Sequence, residues 1–466
     1  MRNLKSRTGF QPVCGGSALC GNRQAGSLSY IGKLRRLFAV CSMVLFTAVA
    51  AESQPRVAVQ DGRFVVEQTG ETFKPYGVNY CRLDNKWHSV FTIGCYDAER
   101  FESMLVDLKK NHMNVVRVFL DHRNEWKGTD GAGGGIATDG FELSQKYVAN
   151  MIDGLERART HGVYVILCLN GQPISKAYQA MFSEPVPSVE NDMFSIDHPM
   201  CSLGNIQYFH PGAIWARAEF FKRVVQAIAA HDSSLLATVF SYELANESYF
   251  VGKAPFNLDS GIFAFQGRDY DLSQDSELRR LMDDAVVHWA DCGAAAIRAV
   301  DPKAMVSVNV FTYQAVGRKN LMAVRPEQGA EWDKKQRIPV NLKALAGSSL
   351  DYLDVHIYLH RISESSVAEK LEETLGSIDF SGLSNVAGQA GKPLIVGEYA
   401  AFKDPKRSLD QQAEDVTEQM DLCRNRGFQG FMYWTYDTDE QQNIHNLKMN
   451  DEHMLNVMAI WREKWD

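Results

Sequence analysis

Two glutamates, Glu247 and Glu398, stand at the ends of short apolar runs of the sequence, and polar or aromatic residues end several other runs. A pair of carboxyl groups can divide proton transfer and nucleophilic attack between them. One glutamate at such a position is most often a structural ion-pair partner, so the indication comes from the whole set of run-end residues. The set is Asn79, Arg117, Asn170, Asn246, Glu247, His356, Tyr358, Glu398, Tyr399 and Trp434.

Eight apolar runs are predicted to be strands, and amphipathic stretches separate them. Near-continuous apolar strands that alternate with helices indicate a parallel sheet covered by helices. Eight such units predict a closed (β/α)8 TIM barrel, an α/β fold in which the carboxyl ends of the strands carry the active site. The predicted strands are residues 75–79, 114–120, 163–169, 237–243, 305–310, 352–358, 393–398 and 428–434.

Helical periodicity fills the intervals between the predicted strands. Asp97 and Ser144 are predicted N-caps, and Gly162 is the predicted C-terminal stop of the helix that begins after Ser144. An N-terminal β-hairpin with Asp61-Gly62 as its turn is predicted before the first strand. Further helices are predicted at about 213–231, 277–300, 364–376, 408–425 and 451–464, whereas 312–351 is poorly periodic.

Residues 1–51 differ in composition from the rest of the chain, because they contain seven basic residues and no acidic residue. A basic segment at 33–36 precedes an apolar run at 37–50, and Ala-Val-Ala-Ala occupies 48–51, which is the pattern of a secretory signal peptide. The run is shorter than the ~20 apolar residues of a membrane helix, so we expect no stable membrane anchor. We therefore predict a secreted or periplasmic protein that is cleaved near Ala50 or Ala51.

The remaining residues, 52–466, are predicted to form one catalytic barrel with long loop insertions after strands three and four, at about 171–211 and 248–275. Loss of the seven basic residues of the leader would change the formal net charge from −8 to −15. An acidic surface repels nucleic acid, anionic lipid and polyanionic glycans. A neutral binding partner is therefore expected.

Six cysteines remain after residue 51. Cys81 and Cys95 could close a short loop as a disulfide in an exported protein, or all six could be thiols, most of them buried. The sequence contains neither a C-x-x-C nor an H-E-x-x-H motif, so no structural or proteolytic zinc site is predicted. We expect neither a metal ion nor an organic cofactor.

The segments MNVVRVFL, FSYELANES, DVHIY, PLIVGEYA and GFMYWTYD resemble those of glycoside hydrolase family 5. The resemblance runs from about Arg56 to the C-terminus, and the segment DGRFVVEQTGETFKPYGVNY resembles the bottom hairpin and first strand of the family. Each motif alone is weak, but the Asn-Glu pair followed by Gly-Glu-Tyr, on these strands and in this order, is a specific combination. The resemblance implies a (β/α)8 barrel and a glycosidase similar to cellulases and β-mannanases.

The resemblance implies complementary roles for the two glutamates. Glu247 matches the general acid/base of the family and Glu398 matches the nucleophile. Cleavage of an acetal needs a proton on the leaving oxygen and negative charge at an oxocarbenium-like centre, and two carboxyls about 5–5.5 Å apart supply both by the retaining route. We expect Arg117 and Tyr358 to lower the pKa of Glu398, and apolar surroundings with the charge of Glu398 to raise the pKa of Glu247.

Other matched residues are implied to bind the substrate or to support the glutamates. By the resemblance, Asn246 binds the 2-hydroxyl of the sugar at the cleavage point, and Arg117 lies beneath the nucleophile. Tyr358 donates a hydrogen bond to the nucleophile, His356 lies near the acid/base, and Trp434 is the floor on which the sugar stacks.

The sequence departs from the family pattern at three of these strand ends. Asn170 stands where many members have a histidine, so the contacts of the cleavage-site sugar are expected to differ although Asn170 remains a candidate substrate-binding residue. Ser248 follows the acid/base where proline is frequent, and Ala400 replaces a common glycine. Neither change removes a catalytic carboxylate.

The sequence therefore predicts an exported, retaining glycoside hydrolase that cleaves neutral β-linked glycans of mannan or glucan type. An exo-acting β-glucosidase or β-mannosidase and a transglycosylase are enzymatic alternatives, because they use the same two carboxylates. A non-catalytic glycan-binding barrel is a further alternative, against which the presence of both glutamates argues. The expected partner is a poly- or oligosaccharide, nucleic acid is not expected to bind, and we expect a monomer.

Overall fold

The structure is a computed structural model that describes most of the chain after residue 53. Predictions for the leader, for Asn170 and for parts of both insertions lie outside the described residues. The described residues are 54–81, 90–120, 136, 138–169, 175–183, 202–251, 261–316, 324, 337–359, 364–376, 380–438 and 442–465, with only the backbone at 202–204.

A parallel sheet of nine strand segments closes into a barrel. The first strand forms hydrogen bonds with the second and the eighth strands. The fifth strand consists of two segments, of which the earlier pairs with the fourth strand and the later pairs with the sixth. The predicted (β/α)8 barrel is thereby confirmed. In chain order its strands are Tyr76–Asn79, Val115–Leu120, Tyr164–Leu169, Val239–Glu243, Val306–Ser307 with Asn309–Phe311, Leu353–His356, Leu394–Tyr399 and Phe428–Trp434.

The predicted hairpin precedes the barrel and closes its amino-terminal end. Asp61 and Gly62 have φ of 51° and 72°, which are the left-handed values that a two-residue hairpin turn requires. Phe64 of the hairpin is fully buried, and its ring centroid lies 5.3 Å from that of Phe240 and 5.5 Å from that of Tyr352. These rings fill the lower barrel, so the chemistry is confined to the opposite end. The hairpin strands are Val57–Gln60 and Arg63–Val66.

Helices surround the barrel and bury their apolar residues against the strands. Asp97 accepts a hydrogen bond from the backbone N–H of Arg100, Ser144 accepts one from Tyr147, and Gly162 has φ of 66°, so the predicted caps are confirmed. The helices are Ala98–Lys110, Gln145–His161, Lys176–Ser183, Ser202–Phe209, Pro211–Asp232, Asp275–Arg298, Leu342–Leu345, Val367–Leu375, Leu383–Gln389, Leu409–Asn425 and His453–Trp465, with 3₁₀ turns at Ser233–Ala237 and Tyr313–Val316.

Two antiparallel ribbons lie outside the barrel sheet. Ile262–Phe265 pairs with Arg268–Asp271 within the second insertion. Tyr249–Val251 pairs with Arg337–Pro339, which joins the segment after strand four to the poorly periodic stretch after strand five. The sequence did not predict these ribbons, because strands of three or four residues contain too few positions to establish a period.

Cys81 and Cys95 are both buried, and no disulfide joins them, so the thiol alternative holds for this pair. The Sγ atom of Cys81 lies 3.9 Å from Oγ1 of Thr438. Cys168 and Cys423 are also buried thiols. No helix in the described part of the chain is both long and apolar enough to cross a bilayer.

Candidate active site

The fully buried guanidinium group of Arg117 is the centre of a hydrogen-bond network at the carboxyl ends of the strands. Its Nη1 atom donates to Oε1 of Glu398 and to Oδ1 of Asn79, both at 2.8 Å. Its Nη2 atom donates to Oδ1 of Asn246 at 2.7 Å, and Nε donates to Oε2 of Glu243 at 2.6 Å. Arg117 therefore fixes the positions of two predicted site residues, Glu398 at the end of strand seven and Asn246 after strand four.

Glu398 lies at the end of the seventh strand, with 4% of its side chain exposed. One carboxylate oxygen accepts from Arg117, and the other accepts from the Tyr358 hydroxyl at 2.7 Å. Burial raises the pKa of Glu398 above its ordinary value and outweighs the opposing effects of His356 and Arg117. The expectation of a lowered pKa was therefore wrong, because desolvation of this carboxylate is the larger effect.

Glu247 follows the fourth strand in an unusual backbone conformation, with φ of 49°. A left-handed residue other than glycine is strained and persists where its surroundings hold it. The Asn309 side chain provides this restraint by accepting a hydrogen bond from the Glu247 N–H at 2.5 Å, and the Asn309 carbonyl accepts from the N–H of Ser248 at 2.9 Å. The Glu247 side chain is 28% exposed, so it faces the open end of the barrel.

Burial alone would raise the pKa of Glu247, but the hydrogen bond to His356 and the charges of His356, Arg337 and Arg117 together lower it. The expectation of a raised pKa for Glu247 was therefore also wrong. The cause is the basic residues around this carboxylate, which stabilise its ionised form.

His356 is fully buried between the two glutamates. Its Nδ1 atom lies 3.3 Å from Oε1 of Glu247 and 3.3 Å from Oε2 of Glu398. Burial lowers the pKa of His356, but the charge of Glu398 and the hydrogen bond to Glu247 outweigh it, so the pKa is raised. A protonated imidazole can therefore bridge the two carboxyl groups in the resting site.

Trp434 ends the eighth strand and is 4% exposed. Its ring packs edge-on against Phe119 with 6.2 Å between the ring centroids, and the peptide bond to Thr435 is cis. Six of the predicted site residues are joined by direct contacts. Trp434 lies at the end of the eighth strand, next to the seventh, and Asn170 lies outside the described residues. The six are Arg117, Asn246, Glu247, His356, Tyr358 and Glu398.

Glu243 and Asn309 belong to the site, although the sequence analysis assigned them no role. Glu243 is fully buried and accepts hydrogen bonds from Nε of Arg117 and from Nδ2 of Asn309, the latter at 2.9 Å. Asn309 thereby joins the buried carboxylate to the backbone of Glu247. The sequence contained a signal for both residues, because each is a polar residue within an apolar strand, and a buried polar group needs a hydrogen-bond partner.

Asp354 is a second buried carboxyl group beneath the site. Its Oδ1 atom accepts from the N–H of Gly397 at 2.8 Å, whereas Oδ2 has no hydrogen-bond partner among the described residues. A Cβ atom on Gly397 would lie 2.2 Å from both carboxyl oxygens, so only glycine fits before Glu398. Burial, and then the negative charge of Glu243, raise the pKa of Asp354 well above its ordinary value.

Within the described residues, one group of three potential metal ligands occurs, formed by Glu247, His356 and Glu398, with one ligand atom of each lying within 4.8 Å of the others. One oxygen of Glu398 accepts a hydrogen bond from Arg117, and the other accepts one from Tyr358. This arrangement suits proton transfer and nucleophilic attack by the side chains themselves.

A closed (β/α)8 barrel with glutamates at the ends of strands four and seven is the architecture of glycosidases with two catalytic carboxyl groups. The family model Cellulase (glycosyl hydrolase family 5) matches residues 66–440. The chain therefore belongs to glycoside hydrolase family 5 and is a glycosidase.

Solved structures with the same fold include mannan-active enzymes. The endo-1,4-β-mannanase from Rhizomucor miehei is 14% identical with a TM-score of 0.52, and the match covers 88% of this chain and 99% of that one. The exo-β-1,4-mannosidase Op5Man5 from Opitutaceae bacterium strain TAV5 is 13% identical with a TM-score of 0.51, covering 87% and 62%. At these identities the likeness shows the fold alone. A search of curated protein sequences finds no match.

We predict that Asp354→Asn becomes progressively more stable than the wild type as pH rises. The folded protein holds the Asp354 proton at pH values well above the ordinary pKa of 3.8, so this carboxyl stabilises the fold at low pH and loses that contribution as pH rises. Asparagine stays neutral, so the difference in unfolding free energy should grow by at most about 1.4 kcal/mol per pH unit. Urea unfolding from about pH 4 to pH 8 measures it.

Asp354→Ala is the control, because it removes the carboxyl group and leaves a cavity. It should be less stable than the wild type at low pH, where the carboxyl group is most favourable. A stability difference between Asp354→Asn and the wild type that does not change with pH would contradict the assigned protonation.

Proposed function

We propose that this glycosidase cleaves neutral β-linked glycans of mannan type with retention of configuration. The observation that carries the proposal is the placement of the carboxyl groups of Glu247 and Glu398, each with one oxygen 3.3 Å from the same His356 nitrogen. Carboxyl groups this close suit direct attack by one of them, whereas inverting enzymes separate theirs by about 6.5–9.5 Å to admit a water molecule.

In the first step, a carboxylate oxygen of Glu398 attacks the anomeric carbon while Glu247 transfers its proton to the departing glycosidic oxygen. The glycosidic bond breaks and a covalent ester forms between the sugar and Glu398. In the second step, Glu247 takes a proton from water, the water oxygen attacks the anomeric carbon, and the ester bond breaks.

The supporting residues orient the nucleophile and neutralise its charge. Arg117 and Tyr358 each donate one hydrogen bond to Glu398, so the carboxylate is held in a single orientation. Oδ1 of Asn246 accepts from Arg117, which directs the amide NH2 group toward the 2-hydroxyl of a bound sugar. Trp434 provides an apolar face for the C–H side of the ring.

The first step requires a proton on Glu247 and an ionised Glu398. The pKa of Glu398 is raised and that of Glu247 is lowered, which is the reverse of the order that the first step needs. His356 contacts both carboxyl groups through Nδ1 and can carry a proton to Glu247. Once the ester forms, the charge of Glu398 is gone and the pKa of Glu247 falls, so Glu247 becomes a base.

The structural neighbours include an endo-1,4-β-mannanase and an exo-β-1,4-mannosidase at nearly equal TM-scores of 0.52 and 0.51. Both neighbours support the proposal of a mannan-type substrate, and the pattern of products would assign the mode of cleavage. The formal net charge of −8 for the whole chain supports a neutral glycan over a polyanionic one.

We also propose that residues 1–51 direct export, on the basis of their basic segment followed by an apolar run. Mass spectrometry of protein recovered outside the cytoplasm should find an N-terminus near residue 51 or 52. Recovery of the chain in the cytoplasm alone, with its first 51 residues intact, would contradict export.

The purified protein should release sugar from mannan or glucomannan faster than from cellulose derivatives, mixed-linkage glucan or xylan. Glu398→Gln should lower release by about a thousand-fold or more without unfolding the protein, because the nucleophile is lost. Glu414→Gln, which changes an exposed glutamate, is the matched control and should keep the wild-type rate. Equal release by Glu398→Gln, or products of inverted configuration by NMR, would refute the two-step mechanism.

Glu247→Ala should separate the acid role from the nucleophile role. Activity on oligosaccharides should fall about 10²- to 10⁴-fold, because their leaving groups need a proton. A dinitrophenyl glycoside has a leaving group that needs none, so rapid release of dinitrophenol in the first turnover should persist. Equal losses on both substrates in single-turnover measurements would count against the acid role.

A further inference from the structure

The ribbon that follows Glu247 carries a basic residue, Arg337, on its second strand. Tyr249–Val251 begins two residues after Glu247 and pairs with Arg337–Pro339 in antiparallel register. The N–H of Val340 also donates to the carbonyl of Ser248 at 3.1 Å, so the ribbon is joined to the chain directly after the acid/base. Arg337 therefore belongs to the same structural unit as Glu247.

The guanidinium group of Arg337 lies against two aromatic rings. Its Cζ atom is 5.3 Å from the ring centroid of Tyr249 and 5.4 Å from that of Phe311, and the two centroids are 5.9 Å apart. Phe311 ends the strand segment that begins with Asn309, the residue that holds the backbone of Glu247. Both rings thus lie on segments that position the acid/base.

Arg337 is partly exposed, and among the described residues none forms a hydrogen bond or an ion pair with its guanidinium group. The five N–H groups of an arginine form a planar fork, and stacking on rings restricts the fork without using its donors. An arginine held in this way can bind oxygen atoms of a ligand at a small cost in side-chain entropy.

The position relative to the two glutamates defines which part of a substrate Arg337 can reach. Glu247 protonates the oxygen of the leaving group, whereas Glu398 bonds to the sugar that stays. Residues grouped around Glu247 therefore face the leaving group. The charge of Arg337 also contributes to the lowered pKa of Glu247, after burial and His356, which is consistent with its place on this side.

We propose that Arg337, stacked on Tyr249 and Phe311, binds the neutral pyranose of the leaving group by donating hydrogen bonds to its hydroxyl oxygens. The inference rests on the proposed glycosidase function and adds to it a residue for the sugar that departs. It follows that the site favours saccharides over simple aryl leaving groups. The same contact would hold an acceptor sugar when a saccharide replaces water in the second step.

The test compares two substrates that share the same sugars on the retained side. When mannotriose is cleaved at its reducing-end linkage the leaving group is mannose, and when dinitrophenyl β-mannobioside is cleaved at its aryl linkage it is dinitrophenol, so each assay follows the product of that linkage. Arg337→Ala should lower kcat/KM for mannotriose about 10- to 100-fold, because hydrogen bonds from a charged donor are lost. It should change kcat/KM for the aryl substrate less than about two-fold, since no sugar occupies the leaving-group side.

Arg337→Lys separates hydrogen bonding from charge. Lysine keeps the positive charge near Glu247 but loses the planar fork, so mannotriose activity should remain low in this variant. If Arg337→Lys instead restores wild-type activity and the wild-type pH profile, the residue acts only through the charge of Glu247 and the proposal is overturned. A loss of equal size on both substrates in Arg337→Ala overturns it as well, because the ribbon would then be a structural support.

Arg268→Ala is the matched control. Arg268 stacks on Tyr270 at 4.9 Å in the other ribbon and pairs with Glu277, so its removal also exposes an aromatic ring. The ratio of the two kcat/KM values should stay at the wild-type level in this variant, and a similar change there would overturn the assignment to Arg337. Failure of the wild type on both substrates would refute the proposed function itself, which is a separate result.

Discussion

The buried charge of Arg117 is the constraint on which the site depends. Removal of a guanidinium group from water costs several kcal/mol unless it is paired and its donors are satisfied. Here two carboxylates, Glu243 and Glu398, accept from it, together with the side-chain oxygens of Asn79 and Asn246. Any displacement of Glu398 would leave the charge of Arg117 undercompensated, so the interactions that keep Arg117 buried also keep Glu398 in place.

The buried charged groups of the site also shift the pKa values of their neighbours. Burial and the negative charge of Glu243 raise the pKa of Asp354, and the charge of Glu398 with the hydrogen bond to Glu247 raises the pKa of His356. The raised pKa of Asp354 favours its neutral form, which adds no negative charge beneath Arg117. The raised pKa of His356 favours its charged form, which offsets the repulsion between the neighbouring carboxyl groups of Glu247 and Glu398.

The barrel was predictable because a parallel sheet covered on both faces requires continuous apolar strands, and eight such runs are evident in the sequence. Six of the eight predicted site residues are in direct contact because the carboxyl ends of all eight strands lie at the same end of a (β/α)8 barrel. Glu243, Asn309 and Asp354 were missed because their roles depend on partners from other strands. The pKa directions of Glu247 and Glu398 were mispredicted because burial and neighbouring charges compete, and their balance exists only in three dimensions.

The helices of the first insertion and the two ribbons were also missed. Lys176–Ser183 and Ser202–Phe209 have eight residues each, which is about two turns and too short for an amphipathic pattern to be distinguished from a loop. Such short elements are stabilised by the contacts they make in the folded protein more than by their own propensities. The sequences of these short segments alone therefore do not predict whether they form helices or strands.

The ribbon of Tyr249–Val251 and Arg337–Pro339 lies outside the barrel sheet, although it is attached to the residue after Glu247. Its backbone hydrogen bonds take no part in the nine-segment barrel sheet, and no side chain of the ribbon is among the hydrogen-bond partners of Arg117 described above. Variation in this ribbon can therefore alter which ligands are accepted while the folding of the barrel is preserved. This separation would let evolution, or an engineer, diversify selectivity at the half-buried positions Tyr249 and Arg337 with a small penalty in stability, whereas the buried Phe250 and Ile338 are constrained by the core.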